Sequence, residues 1–183
     1  MKSFFYICLI APLLVGQFAC DATTSQNAAN FGRDRVFPLT DKENPSLKIF
    51  LNEYVNAQNR RDAEKIYSLT YPKLIELEGG RESLLKKIIS QFDEAKDFSY
   101  LAGRPVQTLV SKNQTLALIP ISAKQRVAEG WRFSRGVILA VSEDGGRRWT
   151  FADATDQVKR KTLFPDAADK LEIPEIKSPW IEK

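Results

Sequence analysis

The sequence predicts an α+β domain, with helices first and an antiparallel sheet after them. Three observations carry this. Apolar residues recur at helical spacing from Leu47 to Ala95. After Asp97 the period drops to two and stays there to about Ala154. Helices grouped ahead of strands, instead of alternating with them, read as α+β and not as a parallel α/β sheet. The chain has 183 residues, 43% of them hydrophobic, enough for one core of ordinary size.

The first helix opens at Asn44-Pro45-Ser46. Asn44 or Ser46 can cap it, and Pro45 suits a first turn. Leu47, Phe50, Leu51, Tyr54 and Val55 form its stripe. Asn59-Arg60-Arg61-Asp62 breaks that stripe, and Asp62 can cap a second, short helix carrying Ala63, Ile66 and Tyr67. Pro72 restarts the chain ahead of Leu74, Ile75 and Leu77, and Gly79-Gly80 stops it. Residues 81–96 then form a clean amphipathic helix, with Leu84, Leu85, Ile88, Ile89, Phe92 and Ala95 on one face.

Strands are expected over 98–102, 105–111, 114–123, 130–142 and 148–154. Lys112-Asn113 makes a tight turn between two of them. In the fourth, Trp131, Phe133, Arg135, Val137, Leu139 and Val141 alternate with smaller residues, which predicts a half-buried strand. Arg135-Gly136 interrupts the pattern and reads as a bulge. A short helical piece after Asp156 leads into a proline-punctuated tail, irregular from about residue 155 and expected to pack along the surface. One domain thus spans 45–183.

Residues 1–19 read as a secretory leader. Met1-Lys2-Ser3 is positive, and residues 4–15 are an uncharged run of twelve, short of the roughly 20 residues a spanning helix needs. Gly16-Gln17-Phe18-Ala19-Cys20 follows. A small residue before a cysteine, just past an apolar run, resembles the bacterial lipoprotein signal. The resemblance implies acylation of the Cys20 sulfur and a mature chain that begins there. Cys8 would leave with the leader, so Cys20 has no disulfide partner. Ordinary cleavage after Ala22, giving a secreted or periplasmic protein, is the alternative, and an uncleaved anchor is a third. Residues 20–44 read as a tether: 21–30 are small, polar and aperiodic, and Phe31, Val36, Phe37 and Leu39 can pin its end against the domain. The address expected is the bacterial cell envelope, with the membrane as partner through Cys20.

The composition excludes much chemistry. There is no histidine, so Ser-His-Asp and Cys-His mechanisms are out, as are zinc sites built on histidine. Two cysteines cannot make a four-cysteine metal site. No glycine-rich phosphate loop or serine-hydrolase elbow occurs. No metal and no cofactor is expected. Net charge is +4. Between 98 and 142 the only acid is Glu129, against Arg104, Lys112, Lys124, Arg126, Arg132 and Arg135. This basic stretch is either a solvated sheet face that protects the edges or an attractor of anionic lipid or polymer. No RNP, zinc-finger or helix-turn-helix pattern accompanies it, so nucleic acid is not an expected partner.

Two groups of residues stand out. Ser142-Glu143-Asp144-Gly145-Gly146-Arg147-Arg148-Trp149 resembles the Asp-box of sialidase propellers. A propeller needs several blades, and one box cannot supply them. Ser142, Asp144, Gly146 and Trp149 are therefore expected to clip a hairpin, with carbohydrate binding as the alternative. The second group is aromatic: Tyr54, Tyr67, Tyr71, Trp131, Phe133 and Trp149. Tyr54, Tyr67, Trp131 and Phe133 are the candidate pocket lining, with plain core packing as the other reading.

The helix from Leu47, the short helix at Asp62–Leu69, Tyr71-Pro72, the Gly79-Gly80-Arg81-Glu82 opening and the strands after them together resemble the nuclear transport factor 2-like superfamily, over residues 46–154. The resemblance implies a curved sheet wrapped around a helix, forming a cone with an apolar pocket. It also implies sheets that can pair face to face in a homodimer. Enzymes of that superfamily resembling ketosteroid isomerase use a buried carboxylate base with a tyrosine donor. Here Asp153 is the acid best placed for such a role. With acids almost missing from the strands, the expectation is a non-catalytic domain that binds a small apolar ligand or a protein partner. A small cavity enzyme and a structural dimerisation module are the alternatives.

Overall fold

The computed structural model describes residues 44–93, 97–111, 113–176 and 179–182. Cys20, the leader and most of the tether lie outside the described residues, as do Ala95 and Lys112. Helix α1, Pro45–Arg60, starts where the sequence places it. The Asn44 side chain accepts from the amides of Ser46 and Leu47, each at 3.1 Å. It ends at Arg61, which takes a left-handed φ of 59°. Asp62 then caps α2, Ala63–Ser68, accepting from Lys65 N at 2.9 Å. The Pro72 segment forms a helix of its own, α3, Pro72–Leu77. Gly79 and Gly80, both at positive φ, turn the chain into α4, Arg81–Asp93. Leu84, Ile88 and Phe92 of α4 are buried, whereas Ile89 is exposed. The apolar stripe of α4 is therefore narrower than its sequence suggests.

The strands are β1, Phe98–Ala102; β2, Gln107–Ser111; β3, Gln114–Val127; β4, Gly130–Ser142; β5, Thr150–Asp153; and β6, Trp180–Glu182. They form one curved antiparallel sheet, and the α+β cone expected from the sequence is the architecture found. Long β3 and β4 pair along their whole lengths, from Thr115↔Ser142 to Val127↔Gly130. β1 and β2 share the outer edge of β3, and β5 and β6 share the outer edge of β4.

The register is continuous through Arg135↔Ser122 and Gly136↔Ile121, so no bulge forms there. Gly136 has a different reason to be glycine. A Cβ on it would sit 2.8 Å from Thr155 Oγ1, and that hydroxyl accepts from Val137 N at 3.2 Å.

The sheet is covered on both sides over half its length. Leu47 and Leu51 of α1 pack on Ala117, Ile119, Ile138, Ala140 and Phe151. On the other face, Leu163, Phe164, Ala167 and Leu171 cover Leu116, Leu118, Val137, Leu139 and Val141. These come from helix α5, Gln157–Leu163, and the chain after it. The expected half-buried strand is thus fully buried from Gly136 to Ser142, and the C-terminal segment forms a second layer instead of a surface wrap. Arg160 is buried with α5 and donates through Nη1 to Ala154 O.

Gly136→Ala is expected to destabilise the domain by about 1–3 kcal/mol through overpacking. Gly136→Ala with Thr155→Ala should lose less than the sum of the two single variants, because the clash partner is gone. Urea unfolding of the four proteins measures this.

Candidate functional site

The helices do not fill the cone. Ala57, Ile66, Leu84, Ile88 and Phe92 join α1, α2 and α4 in a cluster of their own. Between that cluster and the sheet lies an open cavity of about 460 Å³. Its helical wall includes Ile66, Leu84, Ile88 and Phe92, and its sheet wall includes Ile121, Ala123 and Ile138. The sheet residues follow from the register. Ala123 pairs with Ser134, and Ile121 with Gly136, so alternate positions of both strands point inward.

Two tyrosines stand in this cavity. Tyr54 on α1 and Tyr100 on β1 meet edge to face with ring centroids 6.1 Å apart, and Tyr54 also packs on Phe151 at 4.6 Å. Asn59 holds α1 to β1, donating to Tyr100 O at 2.9 Å and accepting from Tyr100 N at 2.7 Å. The Tyr54 ring forms part of the cavity wall while its hydroxyl is enclosed. Burial pushes that hydroxyl up to about 12, opposed by its hydrogen bonds to Gln58 and Tyr100. Burial likewise drives Tyr100 well above the ordinary phenol range. The charge of Asp153 adds to both shifts, but Asp153 is hydrogen-bonded to neither hydroxyl. It is exposed at the end of β5 and accepts from Thr155 N at 2.8 Å.

Charged groups gather on one side of the cavity. Glu78 accepts from Lys159 of α5 at 2.6 Å and from Lys87 of α4 at 2.8 Å. Its side chain keeps only 15% of its exposure. The hydrogen bonds from Lys159 and then Lys87 hold its carboxyl below the usual range. The same pairing raises Lys159. Among the described residues, no group of three or more acidic or cysteine side chains is placed to hold a metal ion.

The pocket expected from the sequence is only partly this one. Tyr54 lines it. Tyr67 lies outside it, beneath the guanidinium of Arg81 at 4.8 Å. Trp131 and Phe133 face the other way. Their two-residue steps put them in line with Val137 and Leu139, on the outer face of the sheet. Tyr71 is also on that outer side, stacked on Phe164 at 5.3 Å with its hydroxyl 2.9 Å from Gln114 Nε2.

The residues singled out for the hairpin clip form one network. Ser142 Oγ donates to Asp144 Oδ1 at 2.9 Å and accepts from Gly146 N at 2.8 Å. The same Asp144 oxygen accepts from the amides of Arg147 and Arg148. Trp149 is buried, and its indole donates to Gly146 O at 3.1 Å and to Ser46 Oγ at 3.0 Å. Ser46 in turn donates to Gly146 O.

No protein-family model matches the chain, and no curated protein matches it. Solved structures similar to it include a conserved protein from Planctomyces limnophilus, 14% identical with a TM-score of 0.44 over 62% of this chain and 93% of that one. Another is TsrD from Streptomyces laurentii, at 16% identity and a TM-score of 0.37 over 64% and 93%. A third is a candidate dehydratase from the NTF2-like family of Streptomyces avermitilis, at 11% identity and a TM-score of 0.41 over 61% and 91%. Tyr100, Gln58 and Lys159 also line the cavity and do not stand out in the sequence. The alternation Phe98-Ser99-Tyr100 was the signal that could have found the first of them.

Glu78→Gln tests the ion pairs beside the cavity. A carboxyl held low in the folded state stabilises above its unfolded pKa of about 4.3, and that stability is lost as pH falls through the folded value. The variant should melt below wild type at neutral pH, with the gap closing under acid conditions. Thermal melts across that range check the sign.

Proposed function

We propose that this chain is a bacterial envelope protein, held to a membrane through acylated Cys20, whose cone binds a small ligand with an apolar body and one hydrogen-bonding end. It performs no catalysis. The observation that carries the binding part is the open cavity. Its volume falls in the range of small-molecule sites, roughly 300–1,000 Å³. Its walls mix aliphatic and aromatic side chains with polar ones in near-equal measure, and among them Tyr54 is hydrogen-bonded to Tyr100 and to Gln58. A filled cone would have favoured a purely structural module.

An environment-sensitive dye or a fatty-acid probe should bind the wild type. Tyr54→Phe should weaken a probe with a carbonyl end more than a plain hydrocarbon one. Ile88→Trp should block both by filling the space, with the melting transition kept. Binding that ignores both substitutions would place the ligand elsewhere. One observation favours a cavity enzyme instead: Asp153 and Lys159 border the same space as the two tyrosines. Turnover of a small substrate that disappears in Asp153→Asn, at unchanged stability, would establish that reading.

The anchoring part rests on Cys20 and the apolar run before it. Cys20→Ser should release the protein from membranes, and the wild-type N-terminal peptide should carry acyl mass. An unmodified chain beginning at Thr23 would mark it as secreted.

A further inference from the structure

The cover over the outer face of the sheet stops near Gly136. Beyond it, towards the β3–β4 turn, the same face continues with side chains of another kind. Trp131 and Phe133 come from β4, Lys124 and Arg126 from β3, and Trp180 from β6. Cross-strand pairing fixes them as neighbours: Phe133 lies between Lys124 and Trp180, and Trp131 between Arg126 and Glu182. Phe133 and Trp180 stack with centroids 5.3 Å apart and planes 11° apart. Lys124 Nζ sits 4.2 Å from the Trp131 ring centre and 5.3 Å from that of Phe133. Arg126 lies over Trp131 at 5.3 Å, and Arg135 over Trp180 at 5.0 Å. The three rings are half-buried and Arg126 is exposed.

From this interleaved face we infer a docking surface for the anionic headgroup layer of a phospholipid membrane. Three features select that occupant. The charge is complementary: among the described residues of this face Lys124, Arg126 and Arg135 outnumber the one acid, Glu182, which accepts from the Trp180 indole at 3.0 Å. The array spreads across three adjacent strands, which suits an extended surface more than a linear polymer lying in a groove. The ring faces are already covered by cations, so they do not offer open platforms for stacking sugars or bases. Half-buried rings beside ammonium and guanidinium donors are the chemistry of an interfacial belt over phosphate groups. The membrane's proximity rests on the anchoring reading above.

The test uses the full chain mixed with vesicles of phosphatidylglycerol and phosphatidylcholine in equal parts, doped with a headgroup nitroxide lipid, and reads tryptophan emission. Trp149 is buried on the other face of the sheet and provides the unquenched background. Emission should be quenched on these vesicles, and the quenching should be lost on pure phosphatidylcholine and at high salt. Trp131→Phe with Trp180→Phe should remove the quenchable signal. Lys124→Gln/Arg126→Gln/Arg135→Gln should abolish quenching with the melting transition retained. If that variant unfolds, Arg126→Gln alone, at an exposed side chain, should halve the quenching or better. Equal quenching on neutral vesicles, or none on anionic ones, overturns the proposal. So does binding of an oligonucleotide or a sulfated glycan that the triple variant abolishes while vesicles leave the emission unchanged. Flotation of the same samples reads anchoring separately. A chain that floats with pure phosphatidylcholine vesicles but is not quenched on anionic ones loses this surface and keeps its anchor, and one that is quenched on anionic vesicles but does not float with pure phosphatidylcholine keeps the surface and loses the anchor.

Discussion

The unbroken ladder between β3 and β4 is the constraint on which the rest of the structure depends. Every pair from Thr115↔Ser142 to Val127↔Gly130 keeps one register. Side chains alternate across a sheet, so a slip of one residue would exchange its two faces completely. One set of positions, Ile121, Ala123, Ser134 and Ile138, looks into the cavity. The other set makes the back core at one end, through Val137 and Leu139, and the aromatic and cationic face at the other. Gly136 belongs to the ladder's middle. Its missing side chain lets Thr155 come close and bond to Val137, which brings the chain after β5 against the sheet.

The helical layer is tied to this ladder at separate points, and the cavity is the space the ties leave. Ser46 fixes the start of α1 to the β4–β5 hairpin, donating to Gly146 O and accepting from the Trp149 indole. Asn59 fixes its end to β1. Thr70 bridges to Phe151, with Tyr71 N donating to Phe151 O at 2.9 Å, so the chain between α2 and α3 passes the β5 edge. Leu47 and Leu51 touch the sheet directly, whereas Ala57, Ile66, Leu84 and Ile88 pack among the helices. Helix α1 therefore meets the sheet near both ends, while α2 and α4 face it across the cavity. Glu78, pinned by Lys87 and Lys159, joins α4 to α5 beside the opening.

Local signals in the sequence were legible because they are decided locally. Caps at Asn44 and Asp62, the stop at Gly79-Gly80 and the bounds of β1 and β4 depend on residues within a few positions. What depended on distant contacts was not legible. The extent of β3 to Val127 follows from its pairing with β4. The burial of both faces after Gly136 follows from a C-terminal layer whose apolar residues, Leu163, Phe164, Ala167 and Leu171, carry no long periodic pattern. As aromatic residues, Trp131 and Phe133 read as pocket lining in the sequence. Their parity with Val137 and Leu139 was already in the sequence, but which parity faces the helices is settled only when α1 is docked. Gly136 illustrates the same limit, since a glycine made necessary by a residue nineteen positions away looks like a bulge when read with its neighbours alone.

The protonation states of the cavity groups bear on what it can do. A hydroxyl pushed to about 12, as at Tyr54, stays protonated across biological pH and acts as a neutral donor or acceptor. Tyr100 is driven the same way. General-base catalysis works best with a group whose pKa lies near the working pH, and neither phenol approaches that range. Glu78 moves in the opposite direction, held as a carboxylate by two lysines, and so becomes a weaker base than an ordinary glutamate. Asp153 is exposed and is bonded to the Thr155 amide instead of a phenol. The enclosed polar groups are thus neutral hydrogen-bonding partners, and the charges sit in ion pairs or in solvent. That division fits the holding of a ligand's carbonyl, hydroxyl or amide end far better than the removal of a proton from it.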